Sequence, residues 1–391
     1  MFLDQEAREE IRRITAEALQ TYFTIDPTGM SVLRIRLSKR PPYDVAEEQG
    51  LDPRARAFHK QARPIETYSD GVKAFVGIAS ALMSADYKVF LIDEPEAFLH
   101  PPLARKLGEV LSQAALRRGT KVLASTHSAD FLMGCVQAGY PVNVIRLTYL
   151  NDVASARMLA GNELQTLMRD PLLRSTGVLS ALFYQGAVIC EADRDRAFYE
   201  EINRRLRSVG QDADDVLFTN AQNKQTIGRI IRPLRTMGIP AAAIVDLDIL
   251  KEGDLAALMR AANVQEPLIQ AWSTLKKPIL DEYKAKNLDL KECGLAGLDE
   301  TTRSVAKNLL ANLEGYGIFV VPVGEVERWL INLGIQSHKQ GWLVAMFERM
   351  GANPEDIDYV HADKEDKAEV WAFIGRVANW IANPNRKGIP T

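Results

Sequence analysis

Cysteine is scarce in this chain. Cys135, Cys190 and Cys293 lie far apart and are odd in number, which speaks against a disulfide framework or a cysteine-based zinc site and suits a reducing cytoplasm. Long apolar runs are missing too. The longest, Ala74 to Met83, is too short to span a bilayer, and no signal-peptide pattern opens the chain, so no membrane partner is expected. A large charge of either sign is absent. With a net charge of −3, any contact with nucleic acid must come from local patches rather than a global field. One motif is missing as well: no G-x-x-x-x-G-K-[ST] stretch occurs, so the loop whose backbone N–H groups cradle nucleotide phosphates is not here. What is present is an ordinary globular composition, 47% hydrophobic and 25% charged over 391 residues, a length that suits two domains.

The stretch that organises the first half is Lys88 to Pro101, KVFLIDEPEAFLHP. Val89 to Ile92 are continuously apolar, which predicts a parallel strand buried on both faces. Asp93 and Glu94 follow at its carboxyl end, where α/β sheets bind ligands. Asp93 is placed to hold Mg²⁺ on nucleotide phosphates, and Glu94 to orient or deprotonate an attacking water. Upstream, Ser69-Asp70-Gly71 opens an apolar-faced helix that Ser69 or Asp70 can cap, and the free N–H groups of such a start attract anions. Downstream, strand Lys121 to Ser125 leads into Thr126-His127-Ser128. His127, just past a buried strand, fits a sensor of the γ-phosphate better than a structural histidine.

Around this stretch, residues 4 to 23 read as an amphipathic helix. Leu33, Ile35 and Leu37 read as a half-buried strand, residues 41 to 66 as a loop, and Val142 to Leu147 as a further strand. Arg34, Arg36, Lys39, Arg40, Arg54, Arg56, Lys60 and Arg63 outnumber the nearby acids. They form either a solvated face or a phosphate-contacting patch.

A second α/β pattern follows a helical linker at 161–185. Strands are expected at Ala187–Cys190, Val216–Thr219, Ala241–Val245 and Ile318–Val321. Glu191 with Asp193 and Asp195 follows the first of these, Asp246-Leu247-Asp248 the third, and Glu325 and Glu327 the last. Asp246 and Asp248 are two apart, so on an extended chain both point to one side. Converging carboxylates repel unless cations sit between them, and hard oxygen ligands select Mg²⁺ or Mn²⁺. Two such ions can clamp the attacking and leaving oxygens of a phosphodiester. Residues 249–314 read as a helical insert. Trp342, Phe347, Trp371, Phe373 and Trp380 read as a packed carboxyl-terminal extension, and 383–391 as a disordered tail.

The first set of motifs resembles the carboxyl half of an ABC-type ATPase head, as in chromosome-maintenance and recombination ATPases. Ser69-Asp70-Gly71 matches the signature, Asp93-Glu94 the Walker B pair, Phe98-Leu99-His100-Pro101 the D-loop region and His127 the switch histidine. That resemblance implies a head-to-head homodimer, with the signature helix reaching a nucleotide held by the other subunit. The missing Walker A lobe is then expected from a truncated amino-terminal segment or a second polypeptide, and ATP with Mg²⁺ is bound only if that lobe is supplied.

The acidic strand ends of the second half resemble a TOPRIM domain. The two halves together, over about residues 25 to 370, resemble the OLD (overcoming lysogenisation defect) family of ATP-linked nucleases. Glu191 and Asp195 match the first acidic motif, with Ala192 in place of the usual Gly. Asp246 and Asp248 match the second, and Glu327, with Glu325 beside it, the third. The family also uses a later lysine to stabilise charge on the scissile phosphate, matched here by Lys367 or its neighbour Lys364.

The expected architecture is therefore an α/β ATPase-type domain at 1–160, the linker, a TOPRIM domain at 186–335 and a helical extension at 336–391. Catalytic roles fall to Glu94, His127, Glu191, Asp246 and Lys367. Nucleotide contacts fall to Ser69, Asp70, Gly71, Asp93, Glu94 and His127, and metal ligation to Asp93, Glu191, Asp195, Asp246, Asp248 and Glu327, with Asp193 weaker. The expected activity is metal-dependent cleavage of DNA, with phage defence implied by the resemblance alone. The alternative is a non-catalytic, nucleotide-gated DNA-binding or assembly subunit.

Overall fold

A computed structural model describes residues 1–84, 87–150, 152–169, 177–251, 253–336, 340–363 and 369–390. The chain divides into two compact units, one of Met1–Val144 with Leu159–Met168, the other of Ile145–Met158 with Arg169–Thr391. Both are α/β. Among the described residues no helix is long and apolar enough to cross a membrane.

In the first unit, helix Gln5–Leu19 is capped by Asp4, whose side chain accepts from Ala7 N at 3.0 Å, and buries Ala7, Ile11 and Ile14. Strands β1 (Tyr22–Asp26), β2 (Arg34–Ser38) and β3 (Arg63–Pro64) form an antiparallel sheet. The expected loop at 41–66 instead holds two short helices, Val45–Gln49 and Pro53–Gln61, capped by Asp44 and Asp52. Pro53 starts the second rather than breaking it, because the missing N–H of a first-turn proline costs nothing there. Three of the eight basic residues carry ion pairs: Arg36 with Asp26 at 2.6 Å, Arg40 with Glu47 at 2.8 Å and Arg54 with Asp44 at 2.9 Å.

Strands β4 (Val89–Asp93) and β5 (Lys121–Ser125) pair in parallel, Asp93 opposite Ser125. Phe90, Ile92 and Val122 pack inward against a core that includes Phe75, Leu107 and Phe131. The other face is open: Val89 is 50%, Leu91 78% and Leu123 58% exposed. Burial on both faces, expected from the uninterrupted apolar run, is therefore not found in this unit. Helices cover one side of the pair, and among the described residues of the unit nothing covers the other.

Strands β6 (Val144–Leu150) and β7 (Val153–Leu159), in the second unit but for Val144 and Leu159, form a two-stranded sheet. The main sheet is parallel. It comprises β8 (Gly186–Cys190), β9 (Val216–Asn220), β10 (Ala241–Val245) and β11 (Ile318–Val320), in the order β11-β10-β8-β9. Strands β8 and β10 are wholly buried, as uninterrupted apolar runs in a parallel sheet require. The chain leaves β8 toward β9 and returns across it to β10, so the carboxyl ends of β8 and β10 flank a topological switch point, the place where open α/β sheets take ligands.

Helices Asp254–Ala261, Glu266–Ala285 and Glu300–Glu314 make up most of the insert. Trp342, Trp371, Phe373 and Trp380 are buried in the core, which bears out their reading as packing residues. The tail is not disordered over 383–390. Gly388 O accepts from Arg235 at 3.4 Å and from Asn263 at 3.0 Å, and Pro390 O from Arg157 at 2.9 Å. A local Pro/Gly composition could not show this, because the partners are distant in sequence.

Candidate metal centre and nucleotide-facing loops

Glu191 follows β8 directly, and Asp246 follows β10. Asp248 sits in the tight 3₁₀ turn Leu247–Leu250. Extended-chain alternation is therefore not what turns Asp248 inward; the turn does. One carboxylate oxygen from each of Glu191, Asp246 and Asp248 falls within 4.8 Å of the others. Glu191 also accepts from the Asp246 backbone N–H at 3.0 Å, fixing the two strand ends together.

Two basic side chains lean on this cluster. Lys291 Nζ lies 2.9 Å from Asp246 Oδ2 and 3.5 Å from Asp248 Oδ2, and Lys224 Nζ lies 3.5 Å from Asp248 Oδ2. Asp248 Oδ1 is buried without a hydrogen-bond partner. A buried carboxylate oxygen left unpaired is costly. Its lone pairs, beside two further carboxylates, suit a hard divalent cation, so the donor set fits Mg²⁺ or Mn²⁺.

Burial pushes the Glu191 carboxyl above the ordinary range, and the nearby Asp246 charge adds to this. Burial raises Asp246 as well, opposed by Lys291. A carboxyl raised in the fold holds protons that the unfolded chain has lost. These two groups therefore favour the metal-free fold at low pH, and that contribution disappears as pH rises through their folded values. Metal requires the deprotonated forms. Mn²⁺ binding should then release protons, and affinity should be higher near pH 8 than near pH 6. Calorimetry in two buffers of different ionisation enthalpy checks this; an observed enthalpy identical in both would refute it.

The other expected ligands do not join the cluster. Asp195 is buried, accepts from Ala192 N at 3.2 Å and faces Arg194 at 3.4 Å, so it closes the start of helix Asp193–Leu206. Glu327 is paired with Arg194 at 2.5 Å. Burial raises Glu325, and the Glu327 charge reinforces this. Asp193 is mostly exposed and pairs with Arg196. Lys364 and Lys367 lie outside the described residues.

Lys291 escapes a local reading of the sequence, since nothing in a charged turn within a helical insert marks it out. Arg194 lies inside the first acidic motif, but its role appears only once Glu327 is brought to it.

In the first unit, Asp93 ends β4 and accepts from the Ser125 hydroxyl. Glu94 has a left-handed backbone, φ 45°, and its Oε1 lies 3.4 Å from His127 Nε2, with both side chains exposed. Glu96, to which the sequence reading gave no role, holds the histidine loop: its Oε1 accepts from Thr126 Oγ1 at 2.6 Å and from His127 N at 3.1 Å. Ser69 is the N-cap of helix Asp70–Met83 but makes no side-chain capping bond, and Asp70 pairs with Lys73 at the surface. Gly71 is required sterically, because a Cβ there would sit 2.5 Å from Phe98 O. Phe98 itself is 80% exposed with φ 67°. Asp93, Glu94 and His127 thus lie at the carboxyl end of the β4–β5 pair, and Gly71 packs against Phe98 in the segment that follows it.

Residues 182–248 match the family described as "Overcoming lysogenization defect protein-like, TOPRIM domain", and residues 49–134 match an AAA-domain family. The Old nuclease of Escherichia phage P2 is 21% identical over 255 residues, 61% of this chain and 42% of that protein. An ATPase-like domain followed by a TOPRIM domain, together with the likeness to the Old nuclease, supports an OLD-type ATPase–TOPRIM arrangement. The chain is also similar to the phosphonates import ATP-binding protein PhnC of Hyphomonas neptunium (strain ATCC 15444). That match is 39% identical over 102 residues, 25% of this chain and 37% of that protein. The chain spans about two fifths of the length of these curated relatives. A solved structure from work on "ATP-driven dimerization and DNA stimulated activation of SMC ATPases" overlaps 42% of this chain and 89% of its own, at 13% identity and a TM-score of 0.28. A score that low establishes no shared fold.

Proposed function

We propose that this chain is a metal-dependent DNA endonuclease of the OLD type, with nicking or cleavage carried by the TOPRIM half and coupled to the ATPase-like half. The supporting observation is the Glu191, Asp246 and Asp248 cluster at the sheet's switch point, with a buried Asp248 oxygen lacking any partner. Glu191, Asp246 and Asp248 would hold Mg²⁺ or Mn²⁺, which would supply Lewis-acid polarisation of the phosphodiester when bound. Glu191 and Asp246, tied through the backbone bond, keep the ligand oxygens converged. A second ion would draw on Asp195 and Glu327, which Arg194 holds. Lys367, or its neighbour Lys364, stabilises charge on the scissile phosphate.

In the ATPase-like half, Asp93 serves nucleotide-bound Mg²⁺, Glu94 the water and His127 the γ-phosphate. Ser69, Asp70 and Gly71 meet a nucleotide across a homodimer, and the Walker A lobe comes from elsewhere. A role in phage defence rests on the resemblance of the motifs to the OLD family alone.

The test is conversion of supercoiled plasmid by the purified chain in Mg²⁺ or Mn²⁺, with and without ATP and with chelator. Relaxed circles should form only with metal. A protein that binds Mn²⁺ yet never converts plasmid would leave the binding or assembly subunit as the function, and conversion insensitive to chelator would remove the named site.

A further inference from the structure

Lys291 comes from the insert between the second and third acidic strand ends, far from Glu191, Asp246 and Glu327 in sequence. Its position is nevertheless built. Asp289 accepts from Lys291 N at 2.7 Å and starts the turn Leu290–Cys293. The next residues are bonded to the strand end that leads to Glu325, with Leu295 N donating to Pro322 O at 2.8 Å. Gly324, φ 113°, lies so close that a Cβ there would sit 2.1 Å from Lys291 O. The same Gly324 accepts from Leu247 N at 2.9 Å, between the two acids that Lys291 touches. The backbone bearing Lys291 is thus locked to both acidic loops. A solvated surface lysine needs no such lock. The Lys291 side chain is 36% exposed, and its ammonium meets both Asp246 and Asp248.

We propose that Lys291 is a positioning residue of the metal centre. Its ammonium stands in for the divalent cation among Asp246 and Asp248, yields them when metal is added, and then presents its charge to the incoming phosphodiester. This rests on the nuclease reading only in its last step; the exchange of ammonium for metal stands or falls by itself. Removing Lys291 takes one positive charge from beside three carboxylates, so divalent metal must bind more tightly while the phosphate loses a cation.

Mn²⁺ is titrated calorimetrically into the full chain without DNA, and plasmid nicking is followed against Mn²⁺ concentration. Lys291→Met should bind Mn²⁺ about tenfold more tightly than wild type, and Lys291→Arg within about twofold of it. In nicking, Lys291→Met should reach its plateau at lower Mn²⁺, but that plateau should lie about tenfold or more below wild type. A purely structural lysine would lower stability and would not move these two quantities in opposite directions. Lys291→Gln serves as a second neutral variant should the methionine form fold poorly. Unchanged or weaker Mn²⁺ binding in the neutral variants overturns the proposal, as does an undiminished plateau. A wild type that binds Mn²⁺ but does not nick refutes the nuclease reading instead, and the calorimetry then decides the exchange alone.

Discussion

Asp246→Ala should abolish metal-dependent cleavage, with a loss of at least about a hundredfold, without lowering the melting temperature of the metal-free protein. The two halves of this expectation come from opposite sides of one balance. Asp246 contributes a ligand oxygen within 4.8 Å of those of Glu191 and Asp248, and a metal's stabilisation of developing charge is worth several kcal/mol, of which about 2.7 kcal/mol already corresponds to a hundredfold in rate. In the absence of metal the same carboxylate is a burden, since burial raises it above the ordinary range. Breaking a buried ion pair by removing one partner is ordinarily destabilising. Here Lys291 is only half-buried and already lies 3.5 Å from Asp248, so its charge keeps a partner after the substitution. Plasmid nicking and thermal melting on the same preparations check both halves. Cleavage equal to wild type would eliminate this cluster as the site. A melting temperature several degrees lower would show that the Asp246–Lys291 pair is structural.

Arg235→Met should cost the second unit about 3 kcal/mol or more. Arg235 is fully buried, and that burial pushes its pKa down to about 9. Its guanidinium instead donates to four carbonyls: Ala241 at 2.7 and 2.9 Å, Tyr316 at 2.8 Å, Ala262 at 3.1 Å and Gly388 at 3.4 Å. It also lies 5.0 Å from the Trp380 ring. Four segments far apart in sequence therefore meet on one side chain. Methionine fills much of the volume and removes the cost of the buried charge, but it leaves the carbonyls of the sheet and insert without donors, each worth about 1–3 kcal/mol when buried. The unmet carbonyls outweigh the relieved charge, because the arginine's charge is spread over hydrogen bonds that already compensate its desolvation. All five tryptophans, Trp272, Trp329, Trp342, Trp371 and Trp380, lie in this unit, so urea unfolding followed by their fluorescence reports on it alone. A loss under about 1 kcal/mol would show that water or repacking satisfies those groups.

The sequence alone determined the parallel sheet of the second unit, because uninterrupted runs such as Ala187–Cys190 and Ala241–Val245 have one stable place, a strand covered on both faces. It also determined that Glu191 and Asp246 stand at strand ends, since each follows its run at once, and that the aromatic carboxyl-terminal segment packs. The identical inference failed for Val89–Ile92, where an apolar run says a strand should be covered but not whether a covering layer is present. Short capped helices at 45–61 were lost to their proline and glycine content, which marks helix starts as readily as loops. Tertiary structure alone decided which acids converge. Asp195 and Glu327 carry the same chemistry as Asp246, yet Arg194 and a helix start claim them, and no spacing rule distinguishes a carboxylate with a local partner from one without. It alone brought Lys291 to the cluster and Arg235 to the tail, because both depend on backbone contacts between segments distant in the chain, and periodicity and motif spacing carry no record of such contacts.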